Sequence, residues 1–162
     1  MDDFSILVAM RERRADQATL EKSRAEDVCN AARKKVADVH AEVGAFAEAT
    51  RNLEFELLTD LVDKPITVEH VQEIEQRLAD AQAEADALVA ALNAAKAELS
   101  IAEIAIETKR QAKRESHGKL NRISELNSIL LAEAREMAQA KEDAEIDAFV
   151  ETMPLSGQGS DQ

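Results

Sequence analysis

A chain of 162 residues with no Trp, no Tyr, four Phe, four Gly and two Pro lacks both the aromatics of a globular core and the turn residues needed to fold around one. Its richness in Ala, Glu, Leu, Lys and Arg is that of long helices and coiled coils, which bury a seam instead. A net charge of −13 argues against a nucleic-acid binder, which needs the opposite sign.

The first predicted element is a helix over about residues 3–62, ~90 Å long at 1.5 Å per residue. Asp2 and Asp3 suit the positive end of its dipole. Its apolar track is Ala25, Cys29, Ala32, Val36, Val39, Val43, Phe46, Thr50, Leu53 and Leu57. Asp63-Lys64-Pro65 breaks it, because proline disfavours helix in the residue before it, and residues 63–67 read as a turn. Thr67 is placed to cap the second helix, with Glu69 in its first turn. That helix is predicted over about residues 68–152, with the track Ile74, Leu78, Ala81, Ala85, Leu88, Leu92, Ala95, Leu99, Ala102 and Ile106. Met153-Pro154-Leu155-Ser156-Gly157 ends it, and residues 153–162 read as a disordered tail.

The two tracks match layer by layer when read antiparallel: the residue numbers of each facing pair add to 131. Phe46 faces Ala85, Ala32 faces Leu99 and Ala25 faces Ile106, so large often meets small and the helices pack closely. The expected fold is therefore all-α: a single antiparallel coiled-coil hairpin over residues 1–152, with an overhanging C-terminal helix segment. Met1 falls opposite Leu130, which leaves about residues 131–152 unpaired, and a lone helix of that length is marginal in water. The layers Lys22 with Lys109, Ala18 with Lys113, Ala15 with Ser116 and Arg11 with Leu120 flaw the seam before Val8 meets Ile123. The half holding both termini should be looser. Because the seam is complete within one chain, the sequence predicts a monomer when free.

A hairpin rod supplies no cleft, so the many carboxylates read as solvated helix faces and no catalytic residue is expected. His40, His70 and His117 lie apart with no metal-like spacing, and no Gly-rich phosphate loop or nucleophile elbow occurs, so no cofactor and no metal is expected. Cys29, lying on the seam, reads as a small buried apolar residue. The start Met1-Asp2-Asp3 is acidic where a signal peptide is basic. The apolar run from Phe4 to Met10 is too short to span a membrane, so the sequence predicts a cytoplasmic protein without membrane insertion.

Charge and exposed apolar residues mark the candidate contact surfaces. Residues 109–122 carry six basic groups and one acidic, whereas residues 123–162 carry two and nine. The basic band Lys109, Arg110, Lys113, Arg114, Lys119 and Arg122 comes alongside Arg11, Arg13, Arg14, Lys22 and Arg24 in the hairpin register. It reads either as a solubilising face or as a docking band for an acidic protein surface. Off-seam apolar residues cluster near the open end (Ile6, Leu7, Met10, Leu20, Leu126, Ile129, Leu131) and near the tip (Phe55, Leu58, Leu61, Val62). A two-stranded rod cannot cover them all: at the open end this points to a partner contact, while some of the tip residues read as closing the turn.

The stretch Leu7-Val8-Ala9-Met10-Arg11-Glu12-Arg13-Arg14-Ala15-Asp16-Gln17-Ala18 is similar to the basic L-x-x-x-R-x-x-R-A opening of the FliJ/YscO (HrpO-like) stalk proteins of flagellar and type III secretion export. Pro65-Ile66-Thr67-Val68 resembles the start of their second helix. The resemblance implies a central stalk that couples two machines. Its open end enters the hexameric export ATPase ring and promotes assembly or activity, and its loop end reaches the cytoplasmic domain of the export gate, peripheral to the membrane-embedded apparatus. Some members also handle secretion chaperones. On that resemblance Leu7, Met10, Arg13, Arg14, Lys109, Arg110, Lys113 and Arg114 make the ATPase-side contact, and Phe55, Leu58 and Leu61 the gate-side one. The alternative reading is a self-associating structural or adaptor scaffold that buries its off-seam apolar residues in a symmetric four-helix assembly. A secreted effector is a third class, but it calls for a flexible Ser-rich start that Asp2-Asp3-Phe4 does not supply.

Overall fold

The structure, a computed structural model, describes residues 3–62 and 64–154. It is all-α: α1 runs over Asp3–Val62 (60 residues) and α2 over Val68–Thr152 (85 residues), with no strand among the described residues. Asp63 of the expected turn and residues 155–162 of the expected disordered tail lie outside the described residues.

Local chemistry sets the helix ends. The Thr67 hydroxyl accepts a hydrogen bond from the His70 amide at 3.2 Å, and the Thr67 carbonyl accepts one from the Val71 amide at 3.1 Å. Thr67 is therefore the N-cap of α2, satisfying a donor that has no partner within the helix. At the other end the Met153 amide is shared between the carbonyls of Phe149 (3.1 Å) and Val150 (3.3 Å), and Pro154, lacking an amide hydrogen, follows.

The chain divides into two compact units, Gln17–Arg114 and Met1–Asp16 with Glu115–Gln162. The first is an antiparallel two-helix hairpin whose burial follows the heptads. Between residues 27 and 60 every residue withdrawn from solvent belongs to the first apolar track, and between 71 and 108 every one belongs to the second. Cys29, Ala102 and Ile106 form the buried cluster, with Ala25, Ala32 and Leu99 packed against it. These are the members of three consecutive layers of the expected register, so residues 25–32 pack against 99–106 as the sequence predicts. Thr50 is the one polar residue on this part of the seam, and its hydroxyl donates to the Phe46 carbonyl at 2.9 Å, which neutralises the cost of placing it there. Two cross-helix ion pairs flank the seam: Lys35 with Glu98 at 3.0 Å and Lys109 with Glu21 at 3.1 Å.

At the Lys22/Lys109 layer both ammonium groups lie beside the seam and not within it. Ala18 is buried, and each lysine finds a carboxylate beside the seam, Lys22 on Glu26 at 3.3 Å and Lys109 on Glu21. The physical reason is reach. A lysine stem lies along the apolar seam while its ammonium group emerges at the edge, where glutamates stand.

In the second unit Ala15 is buried, and Arg11, Ser116, His117, Gly118, Leu120, Ile123 and Asn127 are half-buried. From Ser128 to Pro154 every residue is exposed, although α2 continues to Thr152. The uncovered stretch thus begins three residues before the overhang expected from the register.

Candidate interaction surfaces

The eight residues expected on the ATPase side fall in both units. Leu7, Met10, Arg13 and Arg14 are exposed on α1 within Met1–Asp16. Met10 lies three and four residues before Arg13 and Arg14, so the three share one helix face. Lys109, Arg110, Lys113 and Arg114 lie on α2 at the end of Gln17–Arg114. They form two rows at i,i+4 spacing. Lys109 and Lys113 are half-buried beside the seam, and Arg110 and Arg114 stand in solvent.

This quartet is not bare charge. Glu107 receives Arg110 at 3.7 Å and Arg114 at 3.2 Å, and Glu21 receives Lys109 at 3.1 Å and the Gln17 side-chain amide at 3.3 Å. The hydrogen bond from Lys109, then that from Gln17, then the ammonium charge hold the Glu21 carboxyl below its usual range. The sequence points to the basic side of these contacts but not to Glu21 and Glu107. A signal for both exists: Glu21 flanks the Lys22/Lys109 layer, and Glu107 precedes Arg110 and Arg114 by one and two helical turns. Lys119 and Arg122, further along the band, form no ion pair among the described residues.

Near the turn, Leu58 and Leu61 line an apolar groove with Leu57, Ile74 and Leu78, edged by Glu54. Phe55 is 71% exposed and does not line it. The structure therefore brings Leu58 and Leu61 together and leaves Phe55 projecting from the neighbouring turn of α1. A second groove, lined by Val28, Ala31, Ala32, Lys35, Glu98, Ile101 and Ala102, crosses from α1 to α2 further along the same unit. Its apolar floor and flanking ion pair show which residues lie to one side of the seam.

Glu21, whose carboxyl is held below its usual range, sits in a surface ion pair with Lys109. No group of three or more His, Cys, Asp or Glu side chains suited to a metal ion occurs among the described residues. No helix among them is long and apolar enough to cross a membrane.

No curated protein sequence and no solved structure is significantly similar to the chain. The family profile of the type III secretion protein YscO, by contrast, matches residues 4–152, which takes in both helices almost end to end. With both of its long helices matched, the chain belongs to the YscO family of type III secretion proteins.

Proposed function

We propose that a single copy of the chain acts as a non-enzymatic coupling stalk of a type III secretion export apparatus. One end engages the hexameric export ATPase and promotes its assembly or activity, and the other touches the cytoplasmic domain of the export gate. The observation that carries this reading is the YscO family match over residues 4–152. Two features support it. The basic and apolar quartet Leu7, Met10, Arg13 and Arg14 is exposed, as are Arg110 and Arg114. The groove holding Leu58 and Leu61 sits beside the turn, with Phe55 uncovered next to it. The stalk works in the cytoplasm at the periphery of the membrane-embedded apparatus, and its uncovered helical surface also suits secretion chaperones.

The test is ATP hydrolysis by the cognate export ATPase with and without the chain. A variant carrying Lys109→Glu, Arg110→Glu, Lys113→Glu and Arg114→Glu is run beside it, with helicity checked by circular dichroism. The expected result is stimulation of turnover or hexamer formation by the wild type and a return to basal turnover with the variant. A wild type that leaves the ATPase untouched and assembles with itself into larger scaffolds overturns the stalk reading in favour of a structural coiled coil. For the gate side, Phe55→Asp with Leu58→Asp is expected to keep ATPase stimulation while lowering secretion.

A further inference from the structure

Opposite charge blocks follow one another along α2. Residues 109–122 carry six basic groups and one acidic; residues 123–154, the rest of the described chain, carry two basic and eight acidic. A helix built in this order is complementary to a second copy of itself only when the two run antiparallel. The uncovered apolar residues lie where the blocks meet. Leu126 is 53% and Ile129 55% exposed, and Ile129 borders a shallow hollow with Asn121, Ser124, Glu125 and Ser128.

The spacing fixes a register. Glu115, Lys119, Arg122, Leu126, Ile129, Glu133, Glu136 and Ala140 alternate by four and three residues, so they form one heptad stripe, and all are exposed. With a twofold axis between Asn127 and Ser128, Leu126 of each copy meets Ile129 of the other. Arg122 meets Glu133, and Lys119 meets Glu136. Within one helix Arg122 and Glu133 stand ~16 Å apart and cannot satisfy each other. Lys119, Arg122, Glu133 and Glu136 form no ion pair among the described residues. The stripe lies one position before the seam of α2.

We infer that the free chain pairs with a second copy through residues 115–140 of α2, antiparallel about a twofold at Asn127 and Ser128, with Leu126 and Ile129 at the centre and Arg122–Glu133 and Lys119–Glu136 pairs on either side. The twofold makes the interface close on itself, so assembly stops at two. This revises the monomer expected from a complete seam. That expectation rests on the residues with a seam partner, and from Ser128 to Pro154 every residue is exposed. The pairing does not rest on the stalk reading.

The test is sedimentation of the full chain alone up to about 0.2 mM, a range that detects weak association. Variant A carries Lys119→Glu and Arg122→Glu; variant B carries Glu133→Arg and Glu136→Lys. The wild type is expected to pass from monomer to dimer with concentration, and less readily at high salt. Each variant alone is expected to dissociate about tenfold more readily or worse, since like charges then face each other. Mixing A with B restores opposite charges on both sides and is expected to restore the dimer. Circular dichroism on each variant shows that the helices persist. A wild type that stays monomeric, a mixture of A and B that does not pair, or assembly beyond two copies overturns the proposal. The ATPase is absent from the tube, so failure here leaves the stalk reading standing. Failure of ATPase stimulation with an intact closed dimer would sink that reading and leave this one.

Discussion

At the scale of single residues, the seam is unforgiving and the surface is permissive. Cys29 is wholly buried against Ala102 and Ile106, where the helices approach over small side chains. Cys29→Leu adds volume with nowhere to go, and a loss of about 1–3 kcal/mol is expected in urea unfolding. Gly44 and Gly118 are the reverse case. Each lies in a helix with ordinary backbone angles, and a Cβ added at either meets no atom within 4 Å. Gly44→Ala and Gly118→Ala should each stabilise by up to about 1 kcal/mol, read as a higher urea midpoint at unchanged slope. Glu21 supplies a pH dependence. Its carboxyl is held below the usual range by Lys109 and Gln17, so the folded state binds a proton less readily than the unfolded chain. The contribution is present above the ordinary carboxylate range and is lost as pH falls through the lowered value. Melting temperature should therefore fall with acidification more steeply in the wild type than in Glu21→Gln. A surface pair of this kind is worth little, so the difference is small.

At the scale of the elements, the cap and the seam were legible and the ion pairs were not. Thr67 was identifiable as the N-cap because only a short oxygen-bearing side chain just after the Pro65 break can reach the amide three residues on. Thr67→Ala should cost about 1 kcal/mol, and hydrogen exchange should speed up at His70 and Val71 ahead of the rest of α2. The seam was legible because burial between two helices is one-dimensional: each layer takes one residue from each helix, so a single register places all of them. Val36, Val39, Val43 and their partners Ala95, Leu92 and Leu88 are withdrawn from solvent as that register requires. Charged side chains obey no such rule. Arg114 reaches back seven residues to Glu107, and Lys109 chooses Glu21 across the seam over the carboxylates of its own helix. Long flexible stems leave several carboxylates within range, and spacing alone does not rank them. Counting lysines on the seam alone, without the glutamates beside it, likewise hides how the Lys22 and Lys109 ammonium groups are paired. Of the candidate contact residues, Leu58 and Leu61 prove to share a groove, which heptad position did not distinguish from the projecting Phe55.

At the scale of the whole molecule, α2 exceeds α1 by 25 residues, and the excess takes no part in burial. Stability and partner recognition should therefore come apart along the chain. In Gln17–Arg114 each layer withdraws apolar surface from water, and truncating a well-buried member such as Leu92 is expected to cost about 2–5 kcal/mol. Residues 131–154 are exposed throughout, Met137, Ile146, Phe149 and Val150 included, so the folded state gains almost no tertiary contact by keeping them. An isolated helix of this length is marginal in water, and its uncovered apolar side chains fit the proposed role of a contact surface. Deleting residues 131–162 should thus lower the helical signal by roughly the share of the helix removed. In dilute solution it should leave the melting temperature of the remainder within about 2 °C, against a drop of many degrees for Leu92→Ala. The same deletion takes away Glu133 and Glu136, so it should also abolish pairing between copies. If the truncated chain instead melted as early as Leu92→Ala, residues 131–154 would be part of what holds the helices together, and the separation of a stabilising seam from a recognising overhang would be wrong.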